Sequence, residues 1–436
     1  MDAVTAPSAW RGRFARVKSS RLVRQNAILF AGGLVSGIGG FVYHAIAARA
    51  LGPALYGEVA SLVAIYAIGT AGAFIIILIL ARYAAQLTLD GNAGGIRYLV
   101  TRSSVVLVPP TLLALLATGI FAGPARSFLH LSSLIPLTML ALALAGVWQL
   151  AVLRGVLQGL QRFPQLSLNL SLELIVRMAT LLVMVLLGYK VGGAMLAILA
   201  GVGVAYVQGG VALLDVLRTP AKRAPLRAMA TYSLTAAAGT LGVMLLYNLD
   251  VILAKHYLGP EAAGYYGGLN KIGTILYFLT LSVSQVLFPR VVEAVATDQH
   301  PGRLLALSAG IMCLLGGGSL VVFGAVPWLV VRILFGPAFD VTTPFILPVG
   351  VIGLALSLVN LLVQFFMAVH DRWFVPILAV GCALEAVLVV MNHDGFGNVV
   401  VDVLIALVLL LIALGVRALL LVPRLRPEMV AEPEAA

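Results

Sequence analysis

The sequence predicts an all-α polytopic membrane protein with about 12 transmembrane helices in two six-helix repeats. Three observations lead there. First, 61% of the 436 residues are hydrophobic and 10% are charged, and the mean hydropathy is +1.07. Soluble domains carry about 25% charged residues, so hydrocarbon must be the solvent for most of this chain. Second, apolar runs of about 20 residues, the length that crosses a bilayer, recur from end to end. Third, the Lys and Arg residues between those runs fall mostly on one side.

The runs place spans at 27–48, 59–81, 103–122, 134–153, 166–188, 191–214, 231–254, 265–289, 304–331, 345–369, 374–391 and 399–421. The first follows a basic segment and ends near Ala45-Ile46-Ala47, which resembles a cleavage site. It is longer than a secretory apolar region and is expected to be a retained helix. With both termini cytoplasmic, 21 of the 28 Lys and Arg lie inside and five outside (Arg49, Arg126, Lys190, Lys255 and Arg332), with Arg177 and Lys271 within spans. The expected organisation is a cytoplasmic basic segment (1–26), a first lobe (27–214), a cytoplasmic linker (215–230), a second lobe (231–422) and a cytoplasmic tail (423–436). In the first segment Trp10, Phe14 and Val17 alternate with Arg11, Arg13, Arg16 and Lys18, a pattern suited to lying on anionic lipid.

The halves repeat one another. LGPALYGEVASL from Leu51 matches LGPEAAGYYGGL from Leu258 at Leu51, Gly52, Pro53, Gly57 and Leu62, FAGPA at Phe121 matches LFGPA at Leu334, and QRF ending at Phe163 matches DRW ending at Trp373. The three offsets, 207, 213 and 210, agree closely. Each copy holds an even number of spans, so the repeats are parallel.

At ARALGPALYG, NLDVILAKHYLGPEAAGYYGGLNKI and LFGPAF the sequence resembles the polysaccharide transporter branch of the multidrug/oligosaccharidyl-lipid/polysaccharide exporter superfamily, which includes the lipid-linked oligosaccharide flippases. The resemblance covers essentially the whole chain. It implies two lobes around a central cavity that opens alternately to either side. It also implies translocation of a polyprenyl-pyrophosphate oligosaccharide across the cell membrane for cell-surface polysaccharide synthesis, with polysaccharide polymerase machinery as a partner. The lipid-II flippase branch typically has fourteen helices, two more than expected here.

Ionisable groups within spans are costly unless paired or hydrated, so each is a functional candidate. Glu173 and Arg177 are four residues apart, on one helix face. They read either as an internal salt bridge or as a cavity arginine that meets substrate phosphate, with Glu173 holding it until substrate arrives. Asp250 and Lys271 fall at similar depth on antiparallel helices and are expected to form an ion pair, with a coupling site for a proton or sodium ion as the alternative. Glu385 and Asp402 have no obvious local partner and are further coupling candidates. His44 reads as a proton-sensitive group or an interfacial residue. Arg49 and Arg24, at opposite ends of the first span, could touch pyrophosphate or simply anchor the helix. The expected substrate-binding set is Arg177, Arg49, Arg24 and Lys271.

Other classes fit less well. Cys313 and Cys382 are the two cysteines, each in an apolar run, so neither a disulfide framework nor thiolate metal ligation is expected. The net charge of +11 is scattered between spans, unlike a nucleic-acid surface. No nucleotide, zinc or nucleophile-elbow motif appears, so neither a cofactor nor catalysis is expected. A multidrug or cation antiporter of the same superfamily is the second reading. A membrane polymerase or ligase is the third, and it lacks the large outer loop such enzymes need.

Overall fold

The computed structural model describes the backbone of residues 8–223, 230–296 and 301–424, and side chains for 39–223, 235–280, 283, 284, 287, 291 and 301–423. The basic stripe of the first segment and Arg24 lie outside the described side chains. Among the described residues every regular element is helical, as lipid requires of a chain that must satisfy its own backbone. Ten helices are long and apolar enough to cross a membrane.

The first half contains α1 (Ser8–Leu89), α2 (Ala93–Ile120), the short α3 (Ala122–Phe128), α4 (Ile135–Gly159), α5 (Phe163–Leu186), α6 (Val191–Ala212) and the short α7 (Leu214–Arg218). The second contains α8 (Ala230–Tyr257), α9 (Pro260–Ala296), α10 (Pro301–Ala325), the short α11 (Pro327–Leu334), a 3-10 segment (Pro337–Phe345), α12 (Ile346–Ala368), α13 (Phe374–Met391) and α14 (Phe396–Leu421). Helix α1 is two crossings. His44 Nδ1 and Tyr56 Oη are 3.0 Å apart, whereas 12 residues of straight helix would separate them by about 18 Å. With α9 as the remaining crossing, the helices number twelve, six in each half.

The predicted outer loop before residue 59 is absent. Gly52 reverses the chain by itself at φ 71 and ψ 171, a region that tolerates no Cβ cheaply. Pro53 then starts the second arm, where a missing N–H costs nothing. Two other spans depart from expectation. The fourth continues to Gly159, which carries Arg154 into the helix, and the ninth stops at Ala325, because Pro327 opens α11 after the break at Val326. The first part of the expected linker is tied to the first half: Arg97 Nη1 donates to Thr219 O at 2.7 Å and Lys222 N to Gly94 O at 3.0 Å.

Within the first half α1 packs on α4 and α5, and α6 on α4 and α5. In the second, α9 and α14 pack on α12, and α13 packs on α8 and α14. The halves meet through α1 against α8 and α9. At the end carrying the Gly52 turn they close tightly, with Tyr56 packed on Phe335 and Phe339. Arg49 Nη2 donates across the seam to Arg332 O and Ile333 O at 2.8 and 2.6 Å.

Candidate functional site

The first half holds a cationic cluster built on α4, α5 and α6. Phe163-Pro164 opens α5 immediately after the turn at Gln161, so α4 and α5 form a hairpin. Arg154 and Asn169, at nearly equal distances from that turn, therefore face each other. Arg154 Nε donates to Asn169 Oδ1 at 2.8 Å, and Arg154 Nη2 to Glu173 Oε2 at 2.5 Å. The other carboxylate oxygen of Glu173 accepts from Arg177 Nη2. Asn169 is fixed in turn by donating to Ala205 O at 2.7 Å and Gln208 Oε1 at 2.6 Å. Gly201 makes room for this, since a Cβ there would sit 2.6 Å from Glu173 O.

Arg154, Glu173 and Arg177 line a recess of about 170 Å³ together with Tyr66, Thr70 and Phe74. The three charged side chains are only 12%, 12% and 18% exposed. One carboxylate against two guanidiniums leaves the cluster with a charge of +1. Arg177 Nε is buried and donates to nothing in the protein. The arrangement can take an anion of more than one charge.

The second half holds an acidic cluster. Asp250 Oδ2 accepts from Tyr266 Oη at 2.6 Å and Asn270 Nδ2 at 3.0 Å. Asp402 Oδ1 accepts from Asn392 Nδ2 at 3.2 Å. Glu385 is fully buried, and neither of its oxygens has a hydrogen-bond partner. All three carboxyls lie within electrostatic reach of Tyr266.

The expected Asp250–Lys271 ion pair does not form. Adjacent residues on a helix point about 100° apart. Asn270 takes the direction toward Asp250, and the Lys271 ammonium sits 5.7 Å from the centroid of the Tyr247 ring. That buried ammonium still feels the Asp250 charge. His44 is 7% exposed and bonded to Tyr56, so it is not interfacial; it lies within electrostatic reach of both Arg177 and Lys271. Arg49 is spent on the α11 carbonyls.

The sequence reading missed Arg154, which it placed in a connection, and a buried pair at the closed end. There Glu58 accepts from Ser132 N and Oγ at 3.2 and 3.0 Å, with the buried Lys255 in electrostatic reach. The signal for Arg154 was present as its near-equal spacing with Asn169 about Gln161-Arg162.

The model of the polysaccharide biosynthesis protein family matches residues 22–295. The chain belongs to that family. No curated protein matches it. Among solved structures, an inward-facing multidrug resistance MATE family transporter of the MOP superfamily aligns with a TM-score of 0.76 at 11% identity, covering 92% of this chain and 98% of that one. The lipid II flippase MurJ in an inward closed conformation gives 0.64 at 13%, covering 90% and 87%. An outward-facing MATE transporter of the same superfamily gives 0.59 at 14%, covering 92% and 95%. At these identities the likeness is one of fold: this polysaccharide biosynthesis protein is a polytopic all-α membrane protein with the MATE and MurJ architecture.

Proposed function

We propose that the protein flips a polyprenyl-pyrophosphate-linked oligosaccharide from the cytoplasmic to the outer leaflet of the cell membrane by alternating access, for use by polysaccharide polymerases outside. The observation that carries this reading is the Arg154–Glu173–Arg177 cluster, which turns guanidinium donors toward a recess inside the membrane. Buried charge of this kind is expensive unless it serves a ligand or pathway. Guanidinium forks match phosphate oxygens in geometry and charge. Lys271 supplies a further positive charge from the second half.

Both termini are assigned to the cytoplasm on the distribution of basic residues, which makes the Gly52 end the outer one. Closure there leaves the substrate to enter from the inner leaflet, its polyprenyl tail staying in lipid. An inside-negative potential favours outward movement of anions by about 2.3 kcal/mol per charge per 100 mV. The carboxyls of Asp250, Glu385 and Asp402 serve coupling. Among the described residues no three side chains converge to hold a metal ion, which favours a proton over sodium.

That same acidic cluster favours a second reading, export of organic cations. Translocation of a fluorescent polyprenyl-pyrophosphate oligosaccharide in proteoliposomes separates the two. Under an imposed potential the intact protein flips it and Arg177→Ala and Lys271→Ala lose most of the rate. Absence of flipping together with organic-cation uptake would establish the antiporter.

A further inference from the structure

We propose that Glu173 is a release latch, a carboxylate that stands between Arg154 and Arg177 in the place a diphosphate takes and returns there when the diphosphate leaves. This rests on the flippase reading and specifies how its anion site empties.

The geometry differs from an ordinary salt bridge. Each Glu173 oxygen serves a different arginine, one to Arg154 Nη2 and the other to Arg177 Nη2. A carboxylate bridging two guanidiniums presents oxygens as a phosphate would, because both anions accept from the same planar forks. The two arginines are not held alike. Arg154 has a second anchor at Asn169, itself tied to Ala205 and Gln208, so it stays where α4 puts it. Arg177 keeps Nε buried and unpartnered beside the recess. A diphosphate arriving there would gain that donor and displace the Glu173 carboxylate, while Arg154 marks the position.

Emptying the site poses the opposite problem. Two partly buried guanidiniums without a counter-ion would hold a diphosphate tightly, since an uncompensated buried charge is strongly unfavourable. A carboxylate tethered on the same helix supplies the replacement at the moment of release. Glu173 therefore weakens equilibrium binding and speeds departure.

The test uses the full-length protein and two probes, inorganic pyrophosphate by isothermal titration and a polyprenyl diphosphate in proteoliposomes. Glu173→Gln is expected to bind pyrophosphate about tenfold tighter or more, the scale of one charge-assisted contact no longer competing, while its translocation rate falls. Arg154→Gln is expected to lose both binding and transport. A monodisperse Glu173→Gln protein that binds pyrophosphate no tighter than the parent overturns the latch. Should that variant not fold, Glu173→Asp, which reaches one arginine, is expected to show a smaller tightening, and unchanged affinity there overturns the latch equally. Tightened pyrophosphate binding with no response to the polyprenyl diphosphate in any variant keeps the latch, makes its ligand a soluble diphosphate, and removes the flippase reading.

Discussion

Gly264 of the second half lies flat against Pro53 of the first, so close that a Cβ on Gly264 would fall 1.8 Å from the Pro53 carbonyl oxygen. On the other side of the seam a Cβ on Gly57 would meet Gly264 N at 2.9 Å. The two glycines are the matched residues of the internal repeat, and each is where the other's backbone must pass. Gly264→Ala leaves no flexible side chain to yield. Overpacking of this kind costs about 1–3 kcal/mol, charged only to the state in which the halves touch here. Ala60, fully buried in the closed seam, is expected to become reactive in an Ala60→Cys variant with Cys313 and Cys382 replaced. Labelling by a membrane-impermeant maleimide should rise about tenfold with Gly264→Ala, and an unchanged rate would show that the seam does not open.

Arg49 tests the same seam by electrostatics. Its guanidinium reaches two carbonyls near the C-terminal end of α11, where the helix dipole favours positive charge. Loss of charged hydrogen bonds costs about 1.5–3 kcal/mol. Arg49→Ala is expected to raise the same maleimide labelling while leaving pyrophosphate binding unchanged. Reduced pyrophosphate binding would return Arg49 to the substrate site.

Hydropathy and charge made the twelve crossings legible, because both are properties of local composition. Glu173 and Arg177 were legible because four residues is one helical turn. Depth alone was a poorer guide: it brought Asp250 and Lys271 to one level but said nothing of azimuth, and Asn270 took the facing position. Turn geometry was less legible still. Leu-Gly-Pro occurs at Leu51 and Leu258, but Gly52 takes a positive φ and Gly259 does not. What differs is how the flanking helices pack, and the three letters do not encode that.

Glu385 has no hydrogen-bond partner for either oxygen, while Asp250 and Asp402 each have at least one. Glu385→Gln removes the charge and keeps the shape. Translocation driven by an imposed pH gradient is expected to be lost in this variant, with potential-driven translocation retained. Loss of both in a well-folded protein would make Glu385 structural.

The two hairpin turns carry the same clip with the charges exchanged. In the first half Gln161 is left-handed at φ 55 and the next residue, Arg162, binds Asp215 with both guanidinium nitrogens, Nη1 to Oδ1 at 2.8 Å. In the second, His370 is left-handed at φ 55 and the next residue, Asp371, accepts from Arg417 Nε and Nη2 at 3.1 and 2.7 Å. Geometry has thus been kept across the repeat while the sign has not, which means that attraction between turn and distal helix is what matters. The first clip is the more exposed, Asp215 at 62%, so its worth is about 0–1 kcal/mol and falls with salt. The Arg162 guanidinium holds the Asp215 carboxyl down at about 2, below the ordinary value of about 3.9. A depressed carboxyl stabilises the fold above its unfolded value and ceases to do so as the pH falls through its folded one. The contribution is therefore complete above about pH 4 and lost toward pH 2. Arg162→Asp alone is expected to lower the melting temperature, and Arg162→Asp with Asp215→Arg to recover most of it, reproducing in the first half the polarity of the second. If the double variant melts no higher than the single one, the clip acts through the Arg162 bond to Ala212 O at 2.7 Å instead of through charge.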